Sequence, residues 1–219
     1  MISVSSVIDY FSSLFIPSLC AYCKKFLAER AIFCSACADT IIPIVSKKID
    51  VTQNFSMTVF AITDYKDPLK RMILAKGWSD TLASHQLGQL LWEKTALSLV
   101  DYDYIVPIPL HWTRYAWRGF NQAEEIAKAL QKKKNVPIVH LLKRIKKTAF
   151  QSELVATERA KNVKEAFVLN VVQHHNYKGK HILLVDDLMT TGSTLSSAAK
   201  ELLLLQPRKI TVAVVCRVI

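Results

Sequence analysis

The chain has 219 residues, 51% of them hydrophobic, and a formal charge of +11 at pH 7. That is enough apolar material for one large domain and a small appendage, and no apolar run approaches the roughly 18 residues that read as a membrane-spanning helix. The first residues lack a basic n-region and carry Asp9 inside their apolar pattern, which argues against a secretory signal.

Val7, Ile8, Phe11, Leu14 and Phe15 fall at helical spacing and predict a short amphipathic helix. Its polar face has no Lys or Arg, so packing on the main domain is preferred to a membrane-surface role. Four of the five cysteines follow as Cys20-Ala-Tyr-Cys23 and Cys34-Ser-Ala-Cys37. Two C-x-x-C knuckles at this separation can bring four thiolates to the corners of a tetrahedron around Zn²⁺. Few apolar residues lie between them, so metal binding would supply the folding energy of this lobe. Two disulfides or a redox pair are the alternatives, and both fit poorly with a chain that carries no export signal. Four cysteines leave no open coordination position, so the expected metal is structural. Residues 41–55 read as a linker, which divides the chain into an N-terminal helix and cysteine lobe over 1–50 and a main domain over 51–219.

Alternation from Thr58 predicts a strand ending near Tyr65. Pro68 opens a helix with Leu69, Met72, Ile73 and Lys76, and a second helix covers about 82–98. Asp103–Pro109 is a strand broken by two prolines. After residues 111–122 a helix runs to about Lys132 with Ala123, Ile126, Ala127 and Leu130 on one face. Val136–Leu142, Ala166–Leu169, Lys180–Val185 and Lys209–Val215 complete the strands, the last carrying Cys216 next to it as a core residue. Alternating strands and helices predict an α/β protein with a parallel sheet flanked by helices.

Residues 108–165 hold thirteen Lys/Arg against five Asp/Glu. Such a basic stretch suits several phosphates, although Lys132–Lys134 also fit a solvated helix C-terminus. Residues 143–162 lack a clear period, and a long polar connection inside a compact domain is more often functional than incidental.

Ile182-Leu-Leu-Val185 is an apolar run suited to a strand buried on both faces. It ends in Asp186 and Asp187, and ligands of open α/β sheets bind beyond such strand ends. Met189, Thr190, Thr191, Gly192, Ser193 and Thr194 then supply backbone N–H groups and hydroxyls. Gly192 permits positive φ, Ser193 or Thr194 is the expected N-cap of a helix over Leu195–Leu205, and a helix start attracts phosphate.

This stretch resembles the phosphoribosyl pyrophosphate (PRPP) motif of type I phosphoribosyltransferases. With the four cysteines, Ile73-Leu-Ala-Lys76, Val106-Pro-Ile-Pro109, Arg118-Gly-Phe-Asn-Gln122, Thr148-x-x-Gln151 and Arg159-x-x-Asn162, nearly the whole chain resembles the ComF family (competence protein F). The resemblance implies a type I phosphoribosyltransferase fold with a zinc lobe. It implies that Asp186 and Asp187 hold the ribose hydroxyls, that the loop holds the 5′-phosphate, and that Pro107 and Ile108 meet pyrophosphate, with Mg²⁺. Arg118 is the expected catalytic cation, Arg114 is near enough in sequence to help it at the pyrophosphate, and Lys147 and Arg159 are candidate partners of PRPP from the 143–162 flap. Each of these basic residues has a surface role as its alternative. The chain runs to Ile219 directly after its last strand, so a base-recognising hood is expected before about residue 100, where no nucleobase pocket is readable.

The resemblance also implies a cytoplasmic role in natural transformation, where incoming single-stranded DNA is handled before recombination. Trp112, Tyr115, Trp117 and Phe120 interleave with Arg114 and Arg118 and could stack bases, and Lys143, Arg144 and Lys146 could meet phosphates. The alternative is that two of these aromatics are core and two rim the pocket. Three functional classes remain: a phosphoribosyltransferase with an unidentified acceptor, a single-stranded DNA-binding competence factor with a PRPP site, and a zinc-lobe scaffold for a competence helicase or recombination proteins.

Overall fold

The computed structural model describes residues 19–28, 31–74, 81–145, 166–170 and 176–218. Helix α1 (Ser35–Asp39) is followed by β1 (Lys47–Thr52), β2 (Phe55–Asp64), α2 (Leu69–Leu74), α3 (Thr81–Lys94) and β3 (Tyr104–Pro107). Then come α4 (Trp112–Arg118), α5 (Gln122–Lys134), β4 (Leu142–Arg144), β5 (Phe167–Leu169), β6 (His181–Met189), α6 (Ser193–Leu203) and β7 (Lys209–Arg217). The main sheet has the order β1-β2-β7-β6-β3. Its β2–β7, β7–β6 and β6–β3 pairs are parallel, and β1 joins the edge antiparallel to β2. The sheet is therefore mixed, with the expected parallel core. β4 and β5 form a separate antiparallel pair.

The central strands are buried on both faces, and alternate residues feed two cores. Ile182, Leu184, Ile210, Val212 and Val214 pack with Leu195, Ala198 and Leu202 of α6. Leu183, Val185, Ala213, Val215 and Cys216 pack with Leu87 and Leu91 of α3 and Ile126 and Leu130 of α5. The second core also takes in Cys20, Ile32, Phe33, Cys37 and Ile41, so the cysteine lobe shares a hydrophobic interior with the sheet domain.

Two expectations are corrected, and one helix was not anticipated. Residues 41–55 are not a continuous linker, because β1 and the start of β2 lie within them. Val136–Leu142 is not a strand: it runs beside β3 with a single parallel bridge, Ile105 to Ile138, and regular pairing begins at Leu142. Residues 112–118 form α4, which buries none of its side chains and so shows no apolar face for periodicity to detect. Elsewhere the second helix stops at Lys94 and a short 3₁₀ turn covers Ala96–Leu99, while β6 runs on through the paired acids to Met189.

The two helices under the second core approach closely at Gly88. A Cβ placed there would lie 2.6 Å from Ala129 Cβ and 2.8 Å from the Ile126 carbonyl oxygen. Gly88→Ala must therefore separate α3 from α5, and it is expected to cost about 1–3 kcal/mol in urea unfolding. An unchanged unfolding midpoint would mean that the helices have slack at this crossing.

Candidate functional site

The site is assembled at the carboxyl end of β6. Pro107 pairs with Val185, and the Ile108 amide donates to the Val185 carbonyl at 2.8 Å. The turn after β3 is thus pinned one residue short of Asp186. Asn121 secures the same turn from the other side. Its Nδ2 donates to the Ile108 carbonyl at 2.9 Å, while its Oδ1 accepts from the Ala123 amide at 3.1 Å and caps α5. One side chain therefore fixes the helix start and the turn together. Sequence reasoning gave Asn121 no role, although an Asn directly before a helical run is a recognisable cap signal.

Asp186 and Asp187 are half-buried. The Asp187 amide donates to Asp186 Oδ1 at 2.9 Å. Burial and the neighbouring Asp187 carboxylate push the Asp186 carboxyl well above its ordinary value; the Asp187 amide and Arg144 oppose the shift. Two guanidinium groups from distant segments lie within electrostatic reach. Burial and Arg118 lower Arg114, and Asp187 opposes them. Burial and Arg114 lower Arg144, and Asp186 and Asp187 oppose them. Arg144 also lies over the Phe167 ring at 5.4 Å. Arg114, weighed for both pyrophosphate and nucleic acid, and Arg144, expected at a nucleic-acid surface, thus lie in the electrostatic neighbourhood of the paired acids, with Arg118 beside Arg114 at the end of α4.

The loop after β6 turns through Gly192, whose φ is +77°. Gly192 is the N-cap residue of α6, in place of the expected Ser193 or Thr194. Its carbonyl accepts from the Ser196 amide at 2.9 Å. Thr191 Oγ1 lies 2.9 Å from Ser193 Oγ and accepts from the Ser193 amide at 3.4 Å. A Cβ on Gly192 would lie 3.3 Å from Ile49 Cδ1 of β1, so β1 packs against this loop, a contact that no local pattern revealed. Met189 is buried, Thr190 and Thr194 are half-buried, and Thr191 is exposed. At the outer rim, Trp112 (72% exposed), Tyr115 (54%) and Trp117 (79%) face solvent. These three are therefore not core residues. Lys143 is exposed nearby on β4. Lys146, Lys147 and Arg159 lie outside the described residues.

Away from this site, the Sγ atoms of Cys20, Cys23, Cys34 and Cys37 all lie within 4.8 Å of one another. The Cys23 and Cys34 sulfurs are 3.6 Å apart. Tetrahedral Zn–S bonds of about 2.3 Å imply sulfur separations of about 3.8 Å, so the donor set fits zinc. The first pair lies in a tight turn, with the Lys24 amide donating to the Cys20 carbonyl at 3.0 Å and the Cys20 amide to the Lys25 carbonyl at 2.8 Å. The second pair spans the start of α1. Burial raises the Cys20 thiol, but the amides of Cys23, Cys34 and Tyr22 outweigh it and bring it to about 6. Burial and the neighbouring sulfurs push Cys37 up to about 12. All five cysteines are free thiols, and Cys216 is buried in β7 as expected.

The raised Asp186 carboxyl has a measurable cost. At a pH where an unfolded chain has released this proton and the folded chain has not, folding takes up a proton and stability falls as pH rises. Asp186→Asn removes the carboxyl. The variant is expected to melt above the parent at neutral pH, with the gap closing as the pH falls below the ordinary carboxylate range. A variant that melts below the parent at neutral pH, followed by fluorimetry across pH, would contradict this account.

The Phosphoribosyl transferase domain family matches residues 116–219. Competence protein F of Haemophilus influenzae is 38% identical over 99 residues, which cover 45% of this chain and 43% of that protein. Competence protein ComFC of Bacillus subtilis is 36% identical over 45% of this chain and 38% of that protein, so less than half the length of either is spanned. The DNA utilization protein YhgH of Escherichia coli O157:H7 is 32% identical over 71% of this chain and 69% of its own length. With these relatives and this site together, the chain belongs to the ComF family, built on a type I phosphoribosyltransferase fold.

Proposed function

We propose that this protein is a cytoplasmic competence factor for DNA uptake and use, with a PRPP-binding site at the end of β6 and a structural zinc in the cysteine lobe. The observation that carries the reading is the Asp186–Asp187 pair at the end of β6 beside a glycine-turned hydroxyl loop, with Arg114 and Arg144 within electrostatic reach. Paired acids accept from the vicinal hydroxyls of a ribose. The Thr190–Thr194 loop and the start of α6 offer N–H groups and hydroxyls to a 5′-phosphate. The turn at Pro107 and Ile108, with Arg114 and Arg144, suits the anionic diphosphate of the same molecule. Arg118 lies one helical turn beyond Arg114 and adds to the positive field.

If transfer occurs, an acceptor attacks the anomeric carbon as its bond to the diphosphate oxygen breaks. Negative charge then grows on the departing pyrophosphate, where Arg114 and Arg144 offset it. Mg²⁺, when bound with PRPP, supplies further charge neutralisation on the diphosphate. The residues of this chain bind and orient the sugar.

A second reading, binding of single-stranded DNA, is favoured by three solvent-facing aromatics on α4 alongside Arg118 and Lys143. Aromatic platforms with adjacent cations are the usual chemistry of strand binding, and the relatives' names point the same way. Contact with a helicase or recombination protein would use other surfaces.

Calorimetric titration of PRPP with Mg²⁺ tests the first reading. Binding is expected in the parent and about a hundredfold weaker or worse in the Asp186→Ala, Asp187→Ala double variant. Equal affinity would remove the paired acids from the site. Zinc is tested separately: one equivalent of metal is expected per chain, and a strong chelator is expected to lower the melting temperature of the parent. A metal-free chain with an unchanged melting curve would count against a structural ion.

A further inference from the structure

A cleft adjoins this site and shares Arg144 with it. Between α4, the start of α5 and β4 lies a cleft of about 670 Å³, within the size range of small-molecule sites. One wall is aromatic, from Trp112 and Tyr115. The floor is acidic, from Glu124 and Glu125 in the first turn of α5. Glu125 Oε1 is held by Lys128 Nζ at 2.7 Å. The Glu124 carboxylate has a longer contact, 3.6 Å from its Oε2 to His140 Nδ1. Lys143 and Arg144 stand at the β4 side.

This lining is selective. A carboxylate only accepts hydrogen bonds, so it calls for an N–H donor. An aromatic wall calls for a flat ring. Lys128, Lys143 and Arg144 outnumber the two acids, which disfavours a cationic ring and favours a neutral one that carries an anionic tail. A nucleotide with an exocyclic amino group meets all three requirements, its base on Trp112 and Tyr115 and its phosphate toward Lys143.

We infer that the cleft between α4, α5 and β4 binds an amino-bearing nucleotide, with Glu124 accepting from the exocyclic amine and Trp112 stacking on the base. The base can come from a free nucleotide or from a single strand. This inference does not rest on the PRPP reading, because Trp112 and Glu124 take no part in that site.

The test is calorimetric titration of the full-length protein with dAMP, with its analogue in which hydrogen replaces the 6-amino group, and with a short oligodeoxyadenylate. Saturable dAMP binding is expected, roughly tenfold tighter than that of the analogue. Trp112→Ala, at an exposed position, should weaken both ligands roughly tenfold. Glu124→Ala should abolish the preference for the amine, with circular dichroism confirming that both variants fold. Binding should persist in Asp186→Asn, Asp187→Asn and with excess PRPP, even if PRPP itself fails to bind. A strand that binds more tightly than dAMP and responds to the same two variants assigns the cleft to a strand base; equal affinities assign it to free nucleotide. No binding of dAMP or oligonucleotide, no preference for the amine, or loss of binding on adding PRPP would overturn the inference.

Discussion

β6 carries five consecutive buried residues, His181 to Val185, into two adjacent half-buried carboxylates. Like charges so close at the end of a buried strand repel each other, and burial adds to the penalty on Asp186. The surrounding elements act on that constraint. α4 brings Arg114, and β4 brings Arg144 from a different part of the chain. These two cations are themselves half-buried, and burial lowers both, so the site holds charge of both signs against a desolvation penalty. An arrangement that holds charge in a partly dry site is costly to stability and useful for ligands, because it is organised before the ligand arrives.

The mechanical supports of this group are small and specific. The Ile108 amide on the Val185 carbonyl and the Asn121 side chain on the Ile108 carbonyl tie β6, the turn after β3 and α5 into one unit. On the far side of the loop, Ile49 of β1 fills the space that a side chain at Gly192 would need. The end of β7 is held similarly: Arg217 Nε donates to Asp64 Oδ1 at 3.0 Å, and its Nη1 donates to the Val45 carbonyl at 3.1 Å. Residues that precede the phosphoribosyltransferase family match thus brace the region that contains it.

The cysteine lobe is bound to the same architecture. Cys20, Ile32, Phe33 and Cys37 are continuous with the core beneath α3 and α5, and the Arg71 guanidinium lies 5.0 Å over the Tyr22 ring. A lobe with so little apolar material gains an interior by sharing one. Order at the four sulfurs is therefore coupled to the packing of the sheet domain. The opposite arrangement holds at α4, which buries no side chain and presents Trp112, Tyr115 and Trp117 to solvent. Apolar surface left exposed in this way beside cations is suited to ligand contact and adds little to the core.

What the amino-acid sequence determined by itself was whatever lies within a short contiguous stretch. The run from Ile182 to Thr194 displays strand, acids, glycine turn and helix start in order, and the four cysteines display their own spacing, because both signals depend on local period and residue chemistry. β7 and α5 were legible for the same reason. α4 was not, since a helix without a buried face leaves no apolar period. The stretch from Val136 to Leu142 misled because apolar residues can line a strand while pairing with it at a single bridge. Only the tertiary structure decided that Arg144 comes within electrostatic reach of the paired acids, that Ile49 packs against Gly192, and that Asn121 braces the turn at Ile108. Those contacts join segments far apart in the chain, and their geometry comes from strand order and layer packing, which local patterns do not encode.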